Sequence, residues 1–139
     1  MEKFTLEKDI KVMYITADSF PAGITPAHLK LQSTVPFSTE RGYFGISRPE
    51  PEKNGEIVYK AAAGILSDDE PEKFRLETMT IPAGTYISKV IENYMENIGK
   101  IAETFAEILK LPNLDPNGYC IEQYIVKGKD VRCMVKLAS

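Results

Sequence analysis

The stretch Tyr119-Cys120-Ile121-Glu122-Gln123-Tyr124-Ile125-Val126-Lys127-Gly128-Lys129-Asp130-Val131-Arg132-Cys133-Met134-Val135-Lys136-Leu137 decides the fold. Its last part alternates strictly. Val131, Cys133, Val135 and Leu137 point one way and Arg132, Met134 and Lys136 the other, the period of a half-buried strand. The run 119–126 before it is joined to it by Lys127-Gly128-Lys129-Asp130, a short polar connection with a glycine, so an antiparallel hairpin is expected. The same alternation sets Cys120, Glu122, Tyr124 and Val126 on one face of the first strand and Tyr119, Ile121, Gln123 and Ile125 on the other. A carboxylate thus shares a face with a thiol, a phenol and a valine. On a solvated face Glu122 is a surface charge. On a covered face its ionised form costs several kcal/mol to desolvate, so its pKa rises or it requires a cation.

Outward from this hairpin, residues 95–111 carry Ile98, Ile101, Ala102, Phe105, Ile108 and Leu109 at the spacing of one buried helix face. Asn93 and Glu96 resemble a capping box, and Pro112 ends the helix. A shorter helix is expected over 25–33, with Pro26 in its first turn and Leu29 inward. Further strands are expected at 10–16, 43–48, 57–66, 74–81 and 85–91. The stretch 48–55, with Pro49, Pro51 and Asn54-Gly55, reads as a loop, and 67–73 as an acidic linker. The order strand, helix, strand, strand occurs twice, over about 10–66 and about 84–138, with 74–81 between them as an additional strand. Gly42-Tyr43 in the first half recurs as Gly118-Tyr119 in the second. The expected architecture is α+β, one domain spanning 1–139, with duplicated β-α-β-β halves, an antiparallel sheet and two packed helices.

Composition narrows the function. The chain has 139 residues, 43% hydrophobic and 27% charged, with a net charge of −3. A chain of this size can hold a core without disulfides or metal. The slight excess of acid argues against a phosphate-tracking surface, so no direct nucleic-acid partner is expected. The longest apolar stretch, 61–66, is far short of a membrane span, and 1–11 lacks the apolar region of a secretory leader, so a soluble cytoplasmic protein with no membrane association is expected. Cys120 and Cys133 form no CxxC or Cys/His cluster and read as buried thiols. His28 is the single histidine and reads as a packing or surface residue rather than a ligand. The run Asp68-Asp69-Glu70 lacks EF-hand spacing, so neither a metal nor a cofactor is expected. Ser19, Ser38 and Thr39 have no second histidine or nucleophile elbow to make a hydrolase triad. Gly84 after Pro82 and Gly118 after Asn117 suit turns.

The aromatic supply gives Glu122 its interest. Seven Tyr and six Phe occur with no Trp, and Tyr43, Tyr59, Tyr86 and Tyr124 fall inside expected strands. Strand tyrosines commonly serve packing. A carboxylate ringed by aromatic faces also attracts lipophilic cations, through its charge and through the ring quadrupoles.

The run Ile81-Pro82-Ala83-Gly84-Thr85-Tyr86, a helix after it, and then Glu122-Gln123-Tyr124 resemble the gyrase-inhibitor-like (GyrI-like) small-molecule-binding domain, also known as the AraC-type effector-binding domain. The resemblance spans nearly the whole chain. It implies two pseudo-symmetric halves enclosing a central ligand cleft, with Glu122 as the acidic residue and Tyr86 lining the cleft or bracing its floor. Tyr43, Phe44 and Tyr59 are expected as walls, and Tyr124 as a further ligand-binding residue. The chain departs from the family's pattern in lacking a tryptophan and in having a short first helix. Many relatives join such a domain to a DNA-binding segment and report drugs or effectors to transcription; here the domain fills all 139 residues, so a stand-alone binding or sequestering protein for a small hydrophobic or cationic ligand is expected. A protein partner or a homodimer stays open. The alternative implied by the resemblance is a hydrolase of strained, cyclopropane-type electrophiles, with Glu122 and Tyr124, or Tyr86, as the acid–base pair. No sequence feature supports inhibition of a partner enzyme such as gyrase.

Overall fold

A computed structural model describes residues 1–138. The strands are β1 (Glu2–Leu6), β2 (Ile10–Thr16), β3 (Tyr43–Pro49), β4 (Ile57–Gly64), β5 (Glu77–Ile81), β6 (Gly84–Ile91), β7 (Cys120–Ile125) and β8 (Asp130–Lys136). The helices are α1 (Ile24–Thr34), α2 (Glu70–Phe74) and α3 (Gly99–Ile108). These form two compact units, residues 10–81 and residues 1–9 with 82–138. The class is α+β, as the hairpin pattern predicts.

In the unit 10–81, the strands lie in the order β3-β4-β2-β5 and every pair is antiparallel. Helix α1 packs on the face presenting Met13, Tyr59, Ala61 and Ala63, and buries Ala27, Leu31 and Val35 against it. Two alanines on the strand side let the helix backbone approach closely. Burying a side chain the size of Leu31 contributes about 1.5–3 kcal/mol. Leu29, expected inward, is instead 59% exposed. The seam follows 27, 31 and 35, at four-residue spacing, and Leu29 stands about 200° around the axis from Ala27.

The unit built on 82–138 recruits β1 as an edge strand, in the order β1-β6-β8-β7, again antiparallel throughout. No strand was expected at β1. Helix α3 is shorter than the expected 95–111. A 3₁₀ turn occupies Tyr94–Glu96, and the expected capping box does not form: Asn93 is left-handed with φ 50° and its side chain caps nothing. Its backbone N–H instead donates to Asp130 Oδ1 at 2.9 Å. With the helix confined to 99–108, Ile98 and Leu109 become its flanking caps and are 58% and 56% exposed. Ala102 also faces outward. The seam consists of Ile101, Thr104, Phe105 and Ile108.

The stretch read as an acidic linker is a structural joint. Glu70 opens α2 and accepts two hydrogen bonds from the Arg41 guanidinium, at 3.1 and 2.8 Å, and one from the Leu66 N–H at 2.7 Å. Arg41 also donates to the Gly64 carbonyl at 2.9 Å. The Arg41 hydrogen bonds, against an opposing contribution from burial, hold the Glu70 carboxyl down at about 2. Lowered from its ordinary 4.5, this group stabilises the fold above that value and loses its contribution as the pH falls towards 2. Denaturation midpoints should therefore fall across this acid window, and Glu70→Gln should cost about 1.5–3 kcal/mol near neutrality while flattening the acid limb; an unchanged acid limb in Glu70→Gln would assign the loss to other carboxylates.

Candidate functional site

The hairpin β7–β8 sets Glu122 directly across from Cys133 and Tyr124 across from Val131. Val131, Cys133 and Val135 pack beneath α3 with Ile91 and Ile108, and Cys120, Tyr124 and Tyr94 join that cluster. Glu122 therefore stands on the covered face, and it is 9% exposed. The Tyr124 hydroxyl donates to Glu122 Oε1 at 2.6 Å. This contact follows from the pleat, since residues two apart on a strand share a face. The Tyr94 ring lies 5.7 Å from that of Tyr124, tilted by 44°, which adds a second aromatic wall.

The carboxylate is the electrostatic centre of this cluster. Burial pushes the Cys120 thiol up to about 11, with the charge of Glu122 adding to the shift. Burial likewise raises Cys133 to about 12, with Glu122 and then Cys120 contributing. The Tyr94 phenol is raised for the same two reasons, burial and Glu122. Both cysteines are free thiols, and at neutral pH they behave as small apolar groups beside the acid.

The remaining expected residues divide by face and by unit. Tyr86 is in the same unit as Glu122 but on the opposite face of the sheet, since Ile87 and Ile91 of β6 take the α3 side. It is 1% exposed and donates its hydroxyl to the Pro82 carbonyl at 2.6 Å, closing the turn that Gly84, at φ 140°, makes possible. Burial first, and the charges of Asp9 and Asp115 next, raise its phenol to about 12. Tyr43, Phe44 and Tyr59 belong to the unit 10–81. Tyr43 and Tyr59 face α1. The Tyr43 ring is parallel to that of Phe37 at 5.8 Å, and the Tyr59 hydroxyl lies 2.8 Å from His28 Nε2. Phe44, paired with Ala62, is on the face turned away from α1 and is fully buried. His28 is held as a packing residue, its ring edge-on to Tyr59 at 5.7 Å, and burial lowers its pKa.

Tyr94 is the residue that sequence reasoning overlooked. Its signal was the neighbouring Asn93, which suits a left-handed turn as well as it suits a helix cap. Among the described residues no group of three or more His, Cys, Asp or Glu side chains is arranged to hold a metal ion. Surface depressions of about 380 and 270 Å³ lie in the unit 10–81. Neither is lined by Glu122, so chemistry rather than hollow size marks the candidate site.

The site is thus an acidic side chain held under a helix beside aromatic rings, on an antiparallel α+β scaffold. The model of the GyrI-like small molecule binding domain matches residues 18–133, and the chain belongs to that family. A search of curated proteins finds no match. Among solved structures, the chain is similar to the integron cassette protein VCH_CASS2 of Vibrio cholerae, with a TM-score of 0.69 and 11% identity over 98% of this chain and 94% of that one. It is also similar to SAV2435 bound to tetraphenylphosphonium, with a TM-score of 0.58 and 13% identity over 97% and 93%. A hydrolase encoded by lin2189 of Listeria innocua gives a TM-score of 0.51 and 9% identity over 99% and 91%. At these identities the likeness is one of fold. No helix among the described residues is long and apolar enough to cross a membrane.

If Glu122 raises the thiol pKa values, Glu122→Gln should release more Cys120 thiolate. Labelling of Cys120 by a methanethiosulfonate at alkaline pH should then accelerate by about three- to tenfold. A rate unchanged by the substitution would remove Glu122 as the thiol's electrostatic neighbour.

Proposed function

We propose that this GyrI-like domain captures a small hydrophobic cation at Glu122, acting as a receptor or sequestering protein. The observation that carries the reading is the Glu122 carboxylate, almost withdrawn from water and flanked by the rings of Tyr124 and Tyr94. An ionised carboxylate in such surroundings is costly, and a ligand cation offsets that cost while the rings contribute cation–π attraction. Tyr124 orients the carboxylate, and Tyr86, from the other face, braces the strand that supports the site. The structural neighbour bound to tetraphenylphosphonium is consistent with a lipophilic cation as the ligand class.

A pair of probes with one shape and opposite charge separates charge recognition from greasiness. Tetraphenylphosphonium should raise the melting temperature, by about 2.7 kcal/mol of stabilisation at a hundred times its Kd, whereas tetraphenylborate should not, and Glu122→Gln should abolish the difference. Equal shifts from both ions, or a cation shift that survives Glu122→Gln, would overturn the reading.

A second reading rests on the 2.6 Å contact between the Tyr124 hydroxyl and Glu122 and on the neighbour described as a hydrolase. Glu122 would take a proton from water as the oxygen adds to a strained ring carbon, and the proton would return to the carbon released by ring opening. Ring-opened product that forms with wild type and not with Glu122→Gln supports this reading. Binding without product leaves capture alone.

A further inference from the structure

Glu122 is nearly closed off. It is 9% exposed, and neither of the hollows described above is lined by it. A ligand that touches this carboxylate therefore needs part of the surrounding unit to move. The sheet beneath is held by its ladders, with β8 paired to β6 on one side and to β7 on the other. Helix α3 is held by its seam of Ile101, Thr104, Phe105 and Ile108.

The segment between β6 and α3 is held far less. Residues 92 and 95–99 are exposed, Met95 by 68%, and of the segment only Tyr94 joins the α3 cluster. Its ring packs 5.7 Å from that of Tyr124, whose hydroxyl holds Glu122, so it forms part of the cover over the acid. Two backbone bonds tie the segment to the neighbouring hairpin: the Asn93 N–H donates to Asp130 Oδ1 at 2.9 Å and the Tyr94 N–H to the Lys129 carbonyl at 3.3 Å. Two more close the 3₁₀ turn on itself, from the Glu96 N–H to the Asn93 carbonyl at 2.9 Å and from the Asn97 N–H to the Tyr94 carbonyl at 3.0 Å. A stretch with one packed side chain and exposed backbone bonds opens at a fraction of the cost of global unfolding. Its ends are natural turning points. Asn93 is left-handed at φ 50°, and Asn97 has φ −151° and ψ 73°, outside both helix and strand.

We propose that residues 93–97 are a gate to Glu122, with Tyr94 as its leaf. When the two bonds to the hairpin break, the turn swings out as one piece about Asn93 and Asn97 and lifts the ring from Tyr124. The ligand enters the open form, and the ring recloses on it. Apparent affinity is then the intrinsic affinity reduced by the fraction of chains that are open. That a cation passes the gate rests on the capture reading above; the opening itself is a property of the free chain.

The test is amide hydrogen exchange on the full chain without ligand, followed by the association kinetics of tetraphenylphosphonium. The amides of Asn93, Tyr94, Glu96 and Asn97 should share one opening constant, at least about tenfold larger than that of the slowest amides of the β7–β8 ladder. Asp130→Ala removes one tie without touching Glu122 or Tyr124, and should raise that shared constant, and the association rate with it, by about three- to tenfold. In Tyr94→Ala the leaf is gone, so adding Asp130→Ala should no longer change the association rate. Four unrelated exchange rates, or rates equal to those of the ladder, would overturn the gate, as would an association rate that ignores Asp130→Ala while the exchange responds to it. If tetraphenylphosphonium binds neither wild type nor Tyr94→Ala, the capture reading falls, and exchange alone decides the gate.

Discussion

The register of one hairpin governs the chemistry of this protein. With Glu122 opposite Cys133, the carboxylate must lie beneath α3; a slip of a single residue would send it to the face that holds Tyr86. What fixes the register is apolar burial. Val131, Cys133 and Val135 all pack in the α3 cluster and leave the strand no other face to show the helix. The burial of Glu122 is therefore imposed by its neighbours, and the Tyr124 hydroxyl meets part of its cost.

The two units meet a similar problem differently. Each has a four-stranded sheet with a helix on one face, and each places a polar aromatic group on that face. In the unit 10–81 the polar contact is between Tyr59 and His28, and burial keeps the imidazole towards its neutral form. That pairing is charge-free and suits a core. In the other unit the Tyr124 phenol meets a carboxylate, whose charge is felt by two thiols and a second phenol. The contrast separates a packing contact from a candidate binding group, although both look alike as tyrosines in strands.

Much of this was legible in the residues. Strand alternation placed β2 to its ends and found the β7–β8 hairpin, because a covered face imposes a strict period of two. The I-P-x-G-x-Y and E-x-Y motifs pointed to the family to which the chain belongs. Helix faces were read too generously. Ile98 and Leu109 fit the apolar spacing, yet they stand where the helix begins and ends, and periodicity says nothing about how much of a stripe the sheet is wide enough to cover. Strand β1 was invisible because half of an edge strand's side chains face water. Glu70 was misread because its partner Arg41 lies 29 residues earlier, beyond any local pattern. For Tyr86 and Phe44 the residue types were visible, while the face each one takes depends on register.

The Tyr94 ring owes its position to a distant turn. The Asn93 N–H is tied to Asp130 Oδ1 and the Tyr94 N–H to the Lys129 carbonyl, so the segment before α3 is moored to the tip of the β7–β8 hairpin. Gly128, at φ 81°, and the left-handed Val126 and Lys127 set the shape of that tip. A lengthened or reshaped tip would move an aromatic wall without altering any residue that touches the carboxylate. The hairpin tip is thus a dial on the cluster, open to variation at the surface while the acid at its centre stays fixed.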